Sequence, residues 1–199
     1  MKIITVPHPT LRTIAQPVTT IDKKLKNFVN DLETTLAKKD NPKGVGLAAP
    51  QVDVKWRIFT TELAAQGDRS DEQNPAILRA FINPEITDTS KGKVLGPTKK
   101  KQTLEGCLSI PGLYGPVPRW AKITLKYQVI QGDKLVIKRE VFQDFAARVV
   151  QHELDHLNGV LFIDYSLTEN LPLYKEDPET EELVEIDREI VEALVARSR

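Results

Sequence analysis

The residues best suited to chemistry lie in one short run, 152–156, whose sequence is H-E-L-D-H. His152 and His156 are four positions apart, so on a helix their side chains share one face, one turn apart. Two imidazoles placed in this way can bind one metal ion, and Glu153 can reach a water molecule on that ion and accept its proton. Two of the three histidines in the chain fall in this run. The spacing therefore predicts a metal-dependent hydrolase with Glu153 as acid and base.

A third ligand is needed, because catalytic metal sites usually combine three protein ligands with an open position. The metzincin pattern would place a further histidine where this chain has Phe162, which disfavours that family. A thermolysin-like site takes a later glutamate, for which Glu181 and Glu182 are candidates within an acidic run. Cys107, the only cysteine, is the other candidate, since a thiolate binds zinc or ferrous iron strongly. Spacing alone leaves the third ligand open.

A glycine-rich run at 44–51, with sequence G-V-G-L-A-A-P-Q, formally matches the dinucleotide fingerprint G-x-G-x-x-A. That fingerprint lies between a strand and a helix, whereas a predicted helix precedes this run, and Pro50 stands where the phosphate-binding helix would grow. We therefore reject a nucleotide site. The glycines are better explained by close approach of the backbone to a ligand, and the Gln51 amide can donate a hydrogen bond to a developing oxyanion.

Three helices are predicted from hydrophobic periodicity and capping residues. Asp22 is the predicted N-cap of a first helix that reaches residue 39. The second helix, at 145–157, carries the histidine pair and ends before Gly159. The third opens at Asp177 and Pro178, with an apolar stripe made by Leu183, Ile186, Ile190 and Leu194.

Strands and loops are predicted between the first two helices. The predicted strands lie at 56–61 and 80–83, and 123–129 forms a predicted hairpin with 135–141. The segment 65–75 is a predicted loop, and the lysine-rich segment 90–103 is a loop or an edge strand. The order of helix, strands and two helices indicates an α+β fold. We expect a single catalytic domain over 1–199, with a core at 1–165 and an acidic C-terminal helical extension at 166–199.

Bulk composition excludes several classes of protein. The 199 residues suffice for one compact domain, and 28 basic residues balance 28 acidic ones, which argues against a general attraction to DNA or anionic membrane. One cysteine cannot form an internal disulfide, no apolar stretch reaches transmembrane length, and the apolar start is too short for a signal peptide. We therefore expect a cytoplasmic location and no DNA or membrane partner.

Three segments, in order, resemble the signature motifs of peptide deformylases: the run 44–51, E-G-C-L-S at 105–109 and Q-H-E-L-D-H-L at 151–157. The start of the chain, P-H-P-T-L-R at 7–12, is also similar. The resemblance implies a single compact α+β domain in which antiparallel strands pack around a central metal-binding helix. It also implies removal of the N-formyl group from formylmethionine on newly made polypeptides, with release of formate.

The resemblance further implies a role for each site residue. By this resemblance, Cys107 is the third ligand of one divalent ion that the two helix histidines also bind. The ion is typically Fe²⁺ in cells, and Zn²⁺ or Ni²⁺ can occupy the same site. Glu153 is the acid and base, and Gln51 and the Leu108 N–H hold the oxyanion. The substrate site is lined by Val45, Gly46, Gly106 and Val149, and the cysteine loop is oriented by the pair Glu105 and Arg119.

Two features depart from the family pattern. Arg148 stands where the family often has an apolar residue near the methionine pocket, so its side chain either alters the pocket rim or extends outward to solvent. The segment 176–199 is acidic until its last residues, which disfavours the transient ribosome contact that a basic C-terminal helix makes in some members. The competing hypotheses are a zinc endopeptidase of the H-E-x-x-H type and a structural metal site in a binding module.

Overall fold

The computed structural model describes residues 1–64, 75–97, 102–180 and 182–197. Most of the predicted loop at 65–75, part of the lysine-rich segment at 90–103, and Glu181 lie outside the described residues. The helices are α1 (Lys23–Ala37), α2 (Asp144–Leu157), α3 (Phe162–Thr168) and α4 (Arg188–Arg197). The strands are β1 (Gly46–Ala48), β2 (Ile58–Ala64), β3 (Ala76–Thr89), β4 (Lys93–Val94), β5 (Leu104–Cys107), β6 (Ile110–Pro116), β7 (Arg119–Trp120), β8 (Lys122–Gln131), β9 (Lys134–Gln143), β10 (Tyr174–Glu176) and β11 (Leu183–Glu185).

Two antiparallel sheets carry the site. The larger has the order β1-β2-β3-β8-β9 and the smaller the order β11-β10-β6-β5, while β4 pairs with β7. The predicted hairpin is β8 with β9, in continuous register from Lys122 opposite Gln143 to Gln131 opposite Lys134. The strands β1 and β5 each stand at the end of their sheet, so each has one backbone edge that no strand of its own sheet covers. The expected α+β class, as a single domain with antiparallel sheets, is confirmed.

The first helix follows the predicted capping and periodicity. The Asp22 carboxylate accepts a hydrogen bond from the Leu25 backbone N–H at 2.8 Å, which satisfies one of the free donors of the first turn. The buried face, which packs with Ile58 of β2 and Ile82 of β3, consists of Leu25, Phe28, Leu32 and Leu36. Helix α1 therefore packs on one face of the larger sheet, over β1, β2 and β3.

The second helix lies against the same sheet and brings the histidine pair to it. Its residues Val150, Leu154 and Leu157 join a core cluster with Phe59 and Phe81 of the sheet. The helix ends at the predicted stop, because Gly159 adopts a positive φ of 71°. A Cβ at Gly159 would also lie 2.6 Å from the Arg12 carbonyl oxygen, so the close approach of the N-terminal segment requires glycine here.

The third predicted helix does not begin at Asp177, and this expectation is wrong. The Asp177 carboxylate accepts hydrogen bonds from the backbone N–H groups of Glu179 and Thr180, which makes a turn between β10 and β11. The pairing of β10 with β6 supplies backbone hydrogen bonds that favour a strand, and no local sequence pattern reveals such a distant partner.

The helix of the C-terminal segment is therefore short, and its apolar stripe differs from the predicted one. Helix α4 starts only at Arg188, and its buried residues are Val191 and Val195. Of the predicted stripe, Leu183 is 43% exposed and Ile190 is 49% exposed, whereas Ile186 and Leu194 are partly buried against the cluster that contains Val191 and Val195. Among the described residues, no helix has the length and apolar character needed to cross a bilayer.

Candidate metal centre

The three candidate ligands come together although they are distant in sequence. Helix α2 presents His152 and His156, and Cys107 is the last residue of β5, just before the turn into β6. One donor atom from each of the three residues lies within 4.8 Å of the other two. The Cys107 Sγ is 3.2 Å from the His156 Nε2. The fold thus brings to one point the residues that the sequence suggested as ligands.

These residues fit a divalent metal ion. Within the described part of the chain, the His156 Nδ1 and the Glu153 Oε2 are buried without a hydrogen-bond partner. Burial, and then the positive charges of His152 and Arg119, hold the pKa of His156 well below its usual value, which keeps this imidazole neutral, as a ligand must be. One thiol and two imidazoles form a donor set that suits zinc or ferrous iron. The three residues can therefore hold one ion.

Glu105 orients the first histidine. Its Oε2 lies 2.9 Å from the His152 Nδ1, which leaves the Nε2 of that ring for an ion. Burial opposes a positive charge on His152, yet the contacts with Cys107 and Glu105 outweigh burial and raise the pKa of His152. The Cys107 thiol and the Glu105 carboxylate therefore both favour a positive charge near His152. A bound metal cation would supply that charge.

Arg119 holds Glu105 in place, as a buried bidentate pair. The Arg119 Nε and Nη2 donate to the two carboxylate oxygens of Glu105 at 2.9 and 2.8 Å. Burial favours the neutral form of Glu105, but Arg119 and then His152 outweigh it and hold the pKa of Glu105 well below its usual range. This carboxylate is therefore a fixed negative charge behind His152.

Two further residues belong to this network, Asp155 and Tyr165, and neither was predicted from the sequence. The Arg119 Nη1 donates to the Asp155 Oδ2 at 2.6 Å, and the Tyr165 hydroxyl donates to the other oxygen of Asp155 at 3.2 Å. Asp155 could have been suspected, because it lies inside the H-E-L-D-H run. Tyr165 carried no comparable signal, since it comes from α3, a helix that the sequence did not predict.

Arg148 does not extend to solvent, so that alternative is wrong, but it is among the residues that line the cleft beside the candidate ligands, as an altered pocket rim requires. Its side chain is 9% exposed, and its Nη1 donates to the Glu105 Oε1 at 2.8 Å and to the Val117 carbonyl at 2.7 Å. Its Nη2 donates to the Val94 carbonyl of β4 at 3.2 Å. The reason is the buried carboxylate of Glu105, which attracts a second guanidinium from one side of α2.

Replacing Arg148 with methionine, which keeps the length and removes the charge, should destabilise the fold and weaken metal binding. Loss of the charged hydrogen bond to Glu105 should lower the free energy of unfolding by about 1.5–3 kcal/mol, and metal affinity should fall by about 10–100-fold through the disturbed support of His152. Urea unfolding and metal titration measure the two effects. The matched control is Arg139→Met at an exposed position of β9, expected to change stability by less than about 0.5 kcal/mol. Equal behaviour of the two variants would contradict this role for Arg148.

Glu153 is a buried carboxylate beside the candidate ligands. Burial raises the pKa of Glu153 to about 7, which suits a group that accepts and returns a proton near neutral pH. A Cβ added to Gly46 would overlap the Glu153 carboxylate, so glycine is required where β1 passes this side chain. Position 46 is therefore a glycine because any larger residue would collide with the Glu153 side chain.

Gln51 directs its amide nitrogen toward the cysteine. Its Oε1 accepts from the Ala48 N–H at 2.8 Å, and its Nε2 lies 3.6 Å from the Cys107 Sγ and 3.3 Å from the Ser109 Oγ. These contacts fix the amide so that a donor faces the site. Ser109 was not predicted as a site residue, and Leu108 lies in the tight turn between β5 and β6.

A cleft of about 240 Å³ opens above these groups. It lies between the edge strands β1 and β5, and His152 and Glu153 of α2 line it. Phe145, Leu113 and Tyr114, which were not predicted as site residues, also line it. The four residues expected to line the substrate site are all found here, namely Val45, Gly46, Gly106 and Val149.

The chain is similar to known proteins over most of its length. The sequence profile of the polypeptide deformylase family matches residues 1–170. The chain is 41% identical over 170 residues to a peptide deformylase of Dictyoglomus turgidum, which covers 85% of this chain and 95% of that protein. It is 38% identical over 164 residues to a peptide deformylase of Rhodopirellula baltica, covering 82% and 72% respectively.

Solved structures give the same result. The peptide deformylase of Thermotoga maritima superposes with a TM-score of 0.67 at 36% identity, covering 82% of this chain and 95% of that one. A class I type b peptide deformylase of Acinetobacter baumannii, solved with Met-Ala-Ser bound, gives a TM-score of 0.67 at 32% identity, covering 82% and 96%. The agreement of sequence and structure shows that the chain belongs to the peptide deformylase family.

Proposed function

We propose that this chain hydrolyses the N-formyl group of formylmethionine at the start of newly made polypeptides, which yields formate and a free N-terminus. The observation that carries the proposal is the group Cys107, His152 and His156, with the buried Glu153 beside it, at a cleft in a chain of the deformylase family. The Acinetobacter baumannii relative with Met-Ala-Ser bound supports a substrate chain that begins with methionine.

The two sheet edges support binding of a peptide main chain in the cleft. The strands β1 and β5 line opposite sides of it, so an extended peptide can lie between them as an added strand. Gly46 of β1 and Gly106 of β5 line the cleft together with Val45. Val149 of α2 lines the cleft and offers an apolar contact for the methionine side chain.

The roles proposed for the catalytic groups follow from their positions. A divalent ion held by Cys107, His152 and His156 lowers the pKa of water at the site when it is bound. Glu153 takes the proton of the attacking water and returns it to the leaving amine as the formyl C–N bond breaks. The Gln51 Nε2–H and the Leu108 N–H hold the formyl oxygen as negative charge develops on it.

Ferrous iron is the proposed ion in cells, with zinc or nickel as substitutes, and this choice rests on the resemblance and on a donor set that accepts all three. Glu105 and Arg119 are proposed to support the metal from behind His152. A cytoplasmic location also belongs to the proposal, as does a transient ribosome contact through a surface other than the acidic segment 176–199. The zinc endopeptidase has less support, because Glu182 is exposed and the three residues that could hold an ion include Cys107.

The direct test is formate release from formyl-Met-Ala-Ser by anaerobically prepared protein loaded with Fe²⁺, with metal content measured on the same sample. Release of formate from this peptide, and no cleavage of acetyl-Met-Ala-Ser or of internal bonds in a longer peptide, is the expected result. Protein that holds one ion per chain and releases no formate would refute the proposal. Cleavage of internal bonds would favour the endopeptidase.

A further inference from the structure

The C-terminal segment, beyond residue 170 where the family match ends, is attached to the sheet that carries Cys107. Strand β10 pairs with β6, with Tyr174 opposite Tyr114 and Lys175 opposite Leu113. Helix α4 anchors the segment, because Val191 and Val195 are buried in the cluster that also contains Leu113. The segment is thus a fixed part of the smaller sheet, two strands away from the cleft edge.

A residue of this segment holds a tyrosine ring over the edge strand of the cleft. Tyr114 stands directly opposite Gly106 in the antiparallel pair β5 and β6, so the two residues point to the same face. A Cβ at Gly106 would lie 2.8 Å from the Tyr114 Cε1, which means that the ring occupies the space left by the missing side chain. The Tyr114 hydroxyl donates to the Glu176 Oε2 of β10 at 3.3 Å.

This face is the one that the second residue of a bound peptide would meet. Glu105 points toward His152 and α2, so Gly106, its neighbour on the strand, points to the opposite face. In a peptide added along β5, a methionine directed toward Val149 of α2 would place the next side chain on the Gly106 face. Because Gly106 has no side chain, the Tyr114 ring fills the space above it and is within reach of the second residue, as is Leu104 on the same face of β5.

We propose that Tyr114 and Glu176 form a subsite that selects arginine or lysine as the second residue of the formylated polypeptide. The inference rests on the proposed function. The aliphatic stem of a basic residue packs against the Tyr114 ring, and its charge lies near the Glu176 carboxylate, which accepts a hydrogen bond from the Tyr114 hydroxyl. Lys43 and Arg148, which also line the cleft, repel the same charge, so a preference for a basic second residue has to come from the Glu176 carboxylate.

The test compares kcat and KM for formyl-Met-X-Ser peptides in which X is arginine, lysine, glutamine or glutamate. The metal-loaded chain should favour arginine over glutamate, and Glu176→Gln should reduce this preference by about fivefold, through KM with kcat unchanged. Tyr114→Phe, which keeps the ring and removes the hydroxyl that binds Glu176, should reduce it partly. The matched control is Glu179→Gln, the same charge change at an exposed position of the following turn, which should leave the preference intact.

The outcomes separate the subsite from the activity itself. A preference that is absent in the unaltered chain, or that is equal in Glu176→Gln and the unaltered chain, overturns the subsite. Release of no formate from any of the four peptides overturns the proposed function instead. Because the preference is a ratio between substrates of one protein, a uniform loss of folded or metal-loaded protein does not change it.

Discussion

Replacing Glu153 with glutamine is expected to lower kcat for formate release by about 10²–10⁴-fold, the range for loss of a positioned acid and base. Glutamine keeps the size of the side chain against Gly46 but cannot accept and return a proton. Because Glu153 is not among the three candidate ligands, the variant should still hold one metal ion per chain. Steady-state formate release and metal analysis on the same preparation measure both quantities.

The control for this prediction is Glu169→Gln, the same substitution at an exposed residue just after α3, which should leave kcat and metal content unchanged. If Glu153→Gln retains its metal and its kcat stays within about tenfold of the unaltered value, the result lies outside the expected range. Glu153 is then not the acid and base of the reaction. A variant that loses its metal would mean that Glu153 supports the ion itself. The first result would require another group to move the proton.

The parts of the fold that the sequence predicted are those determined by local interactions. Helix α1 is recognisable because Asp22 caps it and its apolar residues repeat at helical spacing, and α2 because its stripe ends at Gly159. The hairpin of β8 and β9 is recognisable by alternation, since one face is buried and neighbouring residues point to opposite faces. In each element the signal and its cause lie within a few residues of each other.

The parts that were missed depend on distant partners. Strand β10 has three residues, too few for a pattern, and it exists because β6 offers an edge more than fifty residues earlier in the chain. Strand β5 has Glu105 and Cys107 directed at helix α2, so polar residues stand where alternation would place apolar ones. These strands could be predicted only by knowing which backbone edges the rest of the fold leaves uncovered.

The residues of the site also fall into two groups, those with a local signal in the sequence and those placed by distant partners. The helix pair His152 and His156 could be predicted because four-residue spacing places both on one face. Cys107 entered through the resemblance, since nothing in its spacing from the helix fixes a contact. The burial of Arg148 could not be predicted, because the partner that attracts it, Glu105, lies 43 residues away on β5. Buried charges are placed by the partners that compensate them, and those partners come from the tertiary fold.

Replacing Cys107 with alanine should reduce metal affinity by more than about 100-fold, the upper range for loss of a mere supporting contact, because it removes a ligand itself. The increase in Tm that added metal produces in the unaltered chain should disappear, since an ion that no longer binds the folded state cannot stabilise it. Formate release should be lost together with the metal. Metal titration under anaerobic conditions, followed by thermal unfolding with and without the ion, measures both effects.

The control variant is Ser109→Ala, two positions further along the same turn. It removes a buried hydroxyl that accepts from the Gln51 Nε2 but keeps the backbone N–H that lies 3.4 Å from the Cys107 Sγ, so it should retain the metal. A Cys107→Ala chain that keeps one ion per chain at unchanged affinity would exclude the thiol as a ligand. The zinc endopeptidase hypothesis predicts that outcome, because its third ligand is a later glutamate. Loss of the ion in Cys107→Ala but not in Ser109→Ala would exclude it, because only a thiol ligand makes metal binding depend on this one sulfur.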